Sequence, residues 1–205
     1  GGFLFMKWSA YLFAALLVSI FASICGAQDD IVHSKILKAV MTKPRVVKLT
    51  TNQRAALVKR SGDGFASSSQ VVTLSPKTMI LSNRASMLMH FCTLFWPAVD
   101  SAYFEKSATV SPQVDYRIKV DPGVKFVIIT AGVRTDGMGM KTWDFNFRRA
   151  NTGQNSTNQQ AKTGGASQPA SVVFTPAASG WWEGKLTTPS EGAFALDYLE
   201  FTLVR

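Results

Sequence analysis

Residues 113–120 read Gln-Val-Asp-Tyr-Arg-Ile-Lys-Val, and the alternation within them decides the fold. Tyr116, Ile118 and Val120 face one way while Asp115, Arg117 and Lys119 face the other, the period of two expected of a strand with one wet side. Residues 142–149 repeat the pattern, with Trp143, Phe145 and Phe147 opposing Asp144, Asn146 and Arg148. Between these runs, residues 125–131 (KFVIITA) are apolar on both faces, which predicts a central strand. In the last run, 193–204, Phe194, Leu196 and Tyr198 share one parity and Leu199, Phe201 and Leu203 the other. A β-bulge near Tyr198-Leu199 would restore one continuous core face.

Working outward, further runs of β-branched and aromatic residues fall at 70–74, 78–82, 86–95, 170–175 and 180–187. Turn signals separate the runs, among them Ser75-Pro76, Trp96-Pro97, Asp121-Pro122-Gly123 and Thr135-Asp136-Gly137. Many short strands at this spacing predict an all-β domain over residues 66–205, an antiparallel β-sandwich or jelly roll. Residues 151–168 carry no large apolar side chain, so a loop or hairpin excursion is expected there, with Asn155-Ser156-Thr157 fitting a glycosylation acceptor.

Upstream lies a short basic, partly helical arm, residues 28–65. Between Gln28 and Arg60 stand Lys35, Lys38, Lys43, Arg45, Lys48, Arg54, Lys59 and Arg60 against only Asp29 and Asp30, so much of the formal net charge of +9 belongs to this arm. Asp30 can cap a helix running to about Met41 and ended by Pro44, and Thr50 or Thr51 can start a second one through Val58. Such an arm suits an anionic membrane surface, an acidic glycan or an acidic partner, or docks on its own domain.

Residues 1–27 complete the chain of 205. Lys7, the apolar run 11–21 and the small residues Cys25-Gly26-Ala27 form a secretory signal, with cleavage before Gln28. The alternative is a retained anchor: a helix over 8–27 just spans a hydrocarbon core of about 30 Å. Either way the rest is exported, to the periplasm, cell surface or outside, which disfavours nucleic acid as a partner. Removing the signal leaves Cys92 alone, so no internal disulfide is expected and stability must come from packing.

Catalytic patterns are absent from the sequence: no GxSxG, HExxH, CxxC or Gly-rich phosphate loop occurs, and His33 and His90 are far apart. No metal, cofactor or catalytic residue is predicted, and the acidic residues are spread over strands and turns. Alternation in 180–187 turns Trp182 and Leu186 inward and leaves Trp181, Glu183 and Lys185 on the outer face. An outward tryptophan needs a cover, which is a sugar ring, a partner subunit or the protein's own chain.

The segment from about 111 to 205 resembles the bacterial pre-peptidase C-terminal domain. Its opening pattern D-V-D-Y-F-x-F-x-V-x-A-G is similar to Gln113 through Gly123, with Ile118 at an aromatic position and Pro122 at a small one. Its closing pattern F-x-x-P-x-S-G-x-Y-x-I-x-V is similar to Val173 through Leu186, with Phe174, Pro176 and Ser179-Gly180 in it. The resemblance implies an exported, non-catalytic sandwich and carries over no binding site. The reading is thus a binding or assembly module with a protein partner or self-assembly. Its alternatives are a membrane-anchored accessory subunit and a glycan-binding module using Trp181.

Overall fold

The computed structural model describes residues 35–59, 69–137 and 139–205. The chain divides into two units, Gly1–Lys38 and Ala39–Arg205. The signal or anchor segment, Asp29, Asp30 and Arg60 lie outside the described residues. Among those residues, no helix is long and apolar enough to cross a membrane.

The strands are β1 (Ser69–Leu74), β2 (Ile80–Leu81), β3 (Ala85–His90), β4 (Leu94–Trp96), β5 (Ser101–Lys106) and β6 (Gln113–Val120). After them come β7 (Phe126–Thr135), β8 (Lys141–Arg149), β9 (Thr157–Thr163), β10 (Ser167–Phe174), β11 (Gly180–Thr187) and β12 (Gly192–Val204). They form two antiparallel sheets packed face to face, so the molecule is the expected β-sandwich. The first sheet runs β10-β7-β12-β5-β4, with β1 also on β12; the second runs β2-β3-β6-β11-β8-β9.

The core is the sum of the inward parities. Tyr116, Ile118, Trp143, Phe145, Phe147, Trp182 and Leu186 from the second sheet meet Val127, Ile129, Phe174, Phe194, Phe201 and Leu203 from the first. Phe147 stacks between Phe174 and Trp182, with ring centroids 5.0 and 4.9 Å away. Gly184 lies in this layer because the Tyr116 hydroxyl crosses toward β8 to donate to the Asn146 carbonyl at 2.6 Å. A Cβ at 184 would fall 1.8 Å from that carbonyl oxygen.

The bulge on β12 falls between Leu196 and Tyr198, so the extra residue is Asp197. It restores Leu199, Phe201 and Leu203 to the core face begun by Phe194 and Leu196. Tyr198 instead covers Gly132 on the outer side of β7, where any Cβ would strike its ring.

The strands depart from the sequence reading in three places, the first being β5 (Ser101–Lys106), where no strand was expected. The single run expected at 86–95 is broken at Phe91, whose φ of 56° turns the chain from the second sheet (β3) into the first (β4). Residues 157–163, within the expected loop, form β9 on the edge of the second sheet. An edge strand needs little apolar payload: Ala161 and Thr163 suffice to face inward, and the Thr163 hydroxyl accepts from the Trp143 indole at 2.9 Å.

The arm, in its described part, is α1 (Lys35–Met41), an extended crossing, and α2 (Thr51–Lys59). Thr50 and Gln53 cap α2 reciprocally: the Gln53 amide N–H donates to the Thr50 hydroxyl, and the Thr50 N–H donates to the Gln53 side-chain oxygen. From Ala39 onward the arm covers the outer face of the first sheet, burying Val58 with Phe126, Ile128 and Val204. That cover explains why β7 is apolar on both sides.

Candidate functional site

Cations of the arm are partly spent on this docking. Arg45 donates to the carbonyls of Val99, Asp100 and Asp197, and Arg54 pairs with the buried Glu200 at 2.6 Å. Lys38, Lys48 and Lys59 are exposed, and Lys43 is half-buried. Beneath the arm, Arg134 and Asp197, 2% and 0% exposed, are bonded at 2.7 Å. Arg134 also donates to the backbone carbonyls of Val40, Met41 and Lys43, and Asp197 accepts from the Val46 N–H at 3.0 Å. The Ser101 hydroxyl joins the pair. This polar cluster holds a segment of the arm.

The outer face of the second sheet is open. Register sets its side chains in rows across the strands: Ser86, Arg117, Glu183 and Arg148 in one, Leu88, Asp115, Lys185, Asn146 and Asn158 in the next. Between them runs a groove of about 410 Å³ that reaches from Ile80 and Leu88 to Lys185 and Asn146. A second hollow of about 680 Å³, lined by Asp144, Asn158 and Gln160, shares Lys185 and Asn146 with it, so the two make one trough from β3 to β9. At about 4.8 Å per strand, its length is on the order of 19 Å.

The walls of the trough are planar polar groups already ordered by one another. Arg148 donates to Glu183 from both Nε and Nη2, at 3.1 and 3.0 Å. Asp115 accepts from Gln113 and lies 3.0 Å from His90 Nε2. Asn146 donates to Asn158 at 2.7 Å, and Gln160 to Asp144 at 2.7 Å. The Arg117 guanidinium sits 5.0 Å from the Trp181 ring centroid, and its Nε is buried without an acceptor.

Of the residues singled out from sequence, Glu183 and Lys185 line the trough. Trp181 stands on the same face beyond Arg117, half-buried, so the cover an outward tryptophan requires comes in part from the protein's own arginine. Arg117, Asn146, Arg148 and Asn158 were not singled out. Alternation places the first three facing outward, but only strand order brings them together. Among the described residues no group of His, Cys, Asp and Glu could hold a metal ion. Cys92 is partly buried, and desolvation raises its thiol to about 11.

The fold and site define an antiparallel β-sandwich with one outer face covered by its own arm and the other hollowed into an open trough. No protein-family model and no curated protein matches the chain. Among solved structures, it is similar to a family 35 carbohydrate binding module from Clostridium thermocellum, at 13% identity and TM-score 0.44 over 64% of this chain and 97% of that one. It is similar as well to the C-terminal CBM6 of LamC from Zobellia galactanivorans, at 11% identity and TM-score 0.42 over 65% and 99%. The enzymatically active domain of bacteriophage CBA120 tailspike protein 4 is matched at 8% identity and TM-score 0.40 over 68% of this chain, which spans only 20% of that protein. None of these likenesses assigns a role to a residue here, and the functional reading rests on the trough.

Proposed function

We propose that the protein is an exported, non-catalytic binding module that seats an extended polysaccharide in the outer trough of the second sheet. The observation that carries this is the trough itself: a channel across β3, β6, β11, β8 and β9, walled by amides, carboxylates and guanidinium groups. Sugar hydroxyls both donate and accept, and planar side chains held in place by neighbours meet them at small entropic cost. Asp115 and Glu183, the carboxylates of the first groove, each accept from neighbouring side chains and so stand ready as fixed acceptors for sugar hydroxyls. Residues 111–205, in their resemblance to pre-peptidase C-terminal domains, support the same non-catalytic reading.

Retention on immobilised polysaccharides, neutral and acidic, tests the proposal. Wild type should be retarded by at least one polymer, and Asn146→Ala with Asn158→Ala should abolish the retardation while the melting curve stays unchanged. A protein that no polysaccharide retards is not a glycan-binding module.

A second reading, assembly with another chain, is favoured by the edge beside the trough. Strand β2 covers only the start of β3, and Ile80, Leu88 and Phe91 are 71%, 56% and 68% exposed there.

A further inference from the structure

We infer that the trough selects an anionic ligand, with Arg117 and Lys185 as the pair that holds its carboxylate or sulfate group. The inference rests on the glycan reading above and names the class of glycan. Its basis is the charge of the first groove, where Arg117, Arg148 and Lys185 stand against Asp115 and Glu183; the trough's third carboxylate, Asp144, lies in the second hollow and accepts from Gln160. Both carboxylates of the first groove are engaged: Asp115 by Gln113 and His90, Glu183 by two donors of Arg148. Arg117 and Lys185 are left with no ion pair among the described residues. Lys119, opposite Trp181 in register, adds an exposed cation at the margin.

Arg117 is held for the task rather than free. Its guanidinium lies against Trp181, an interaction that fixes the plane of the group through the ring quadrupole but supplies no hydrogen-bond acceptor. Its Nε–H is out of water and has no acceptor among the described residues, so no hydrogen bond at that atom offsets the charge of the group. Glu183, directly opposite Arg117, does not fill this role: its Oε1 accepts from Arg148, and Arg117 Nε has no acceptor. Lys185 is the diagonal neighbour of Arg117 across β6 and β11, with Cα atoms about 7–8 Å apart, so both side chains can reach one acid group.

Affinity electrophoresis at physiological salt provides the test, with polygalacturonate, alginate and dextran sulfate against carboxyl-reduced polygalacturonate and dextran. Wild type should be retarded by an acidic polymer and not by the neutral ones. Lys185→Met, an exposed substitution that leaves packing intact, and Arg117→Met should each weaken binding about tenfold or more. A variant with Lys38, Lys48 and Lys59 changed to Gln should bind as wild type does, because those cations lie on the arm and not in the trough. If the arm variant loses binding and the trough variants keep it, the effect is bulk polycation attraction and the inference fails. Equal retardation by carboxyl-reduced polygalacturonate overturns the inference while leaving the glycan reading intact, and retardation by no polymer overturns both. Lys185-dependent binding to phosphatidylglycerol vesicles without binding to any polymer would assign the site to a membrane and overturn it as well.

Discussion

Cys92 shows how one buried side chain sets a property of the whole fold. It lies where the chain passes from β3 to β4, and its thiol donates weakly to the carbonyls of Leu94 and Tyr103. Desolvation raises it from 9.0 to about 11, the two hydrogen bonds offsetting only part of this. Desolvation, with Glu105 adding to it, raises the Tyr103 phenol to about 12. An unfolded chain ionises the thiol first, so stability is full below about pH 9 and falls as pH rises to about 11, by at most about 1.4 kcal/mol per pH unit for one proton. Urea midpoints taken from pH 8 to 11 should decline, and Cys92→Ala should flatten the part of the decline between pH 9 and 11. The same burial predicts a thiol slow to react with maleimide at pH 8, as expected of a small packed hydrophobe.

Among the elements, the arm depends most on a polar cluster. Arg134 reaches three arm carbonyls while paired to Asp197, and both are buried. Replacing Arg134 by Met leaves Asp197 with Ser101 and the Val46 N–H but no partner guanidinium of its own. A loss of about 3–5 kcal/mol is expected, because the uncompensated charge stays in a dry site. Limited trypsin digestion should then cut at Arg45 or Lys48 faster than in wild type; an unchanged digestion rate would show that Val58 and Arg54 hold the arm without the cluster. That cluster arises from the bulge on β12, whose existence was legible in the parity change between Tyr198 and Leu199 but whose extra residue is Asp197. Strands 113–120 and 180–187 were legible to the residue because their inward and outward positions differ sharply in polarity. Strand β5 was not, since Ser101 through Phe104 are buried on both faces and show no alternation. Strand β9 was missed because an edge position asks only for Ala161 and Thr163. Outward-facing Glu183 and Lys185 were legible by parity, but the trough was not, because it exists only once β6, β11 and β8 lie side by side.

At the scale of the whole molecule, the sandwich treats its two outer faces and its two sides unequally. One face is sealed by the arm, and the other is the trough. On one side, β9 follows β8 and lies against β10, where the Gln159 amide pairs with the backbone of Val173 and closes the seam. On the other side, β2 is two residues long, so the far half of β3, paired with β6 on one edge, has no strand on its other edge among the described residues, and exposed Ile80, Leu88 and Phe91 flank that gap. A short edge strand ordinarily blunts pairing with other chains, but the apolar side chains beside it work in the opposite direction. Self-association at this edge is therefore the expected behaviour as concentration rises. Light scattering on wild type from micromolar to near-millimolar concentration should show a growing dimer fraction, and Leu88→Lys should keep the protein monomeric without lowering its melting temperature. Leu88 also lines one end of the trough, so a dimer through β3 would narrow the channel from that side, and polysaccharide and self-association should compete. Dimerisation that a saturating acidic polysaccharide leaves unchanged would separate the two surfaces. A protein monomeric throughout would remove self-assembly and leave the trough as the one binding surface supported by its geometry.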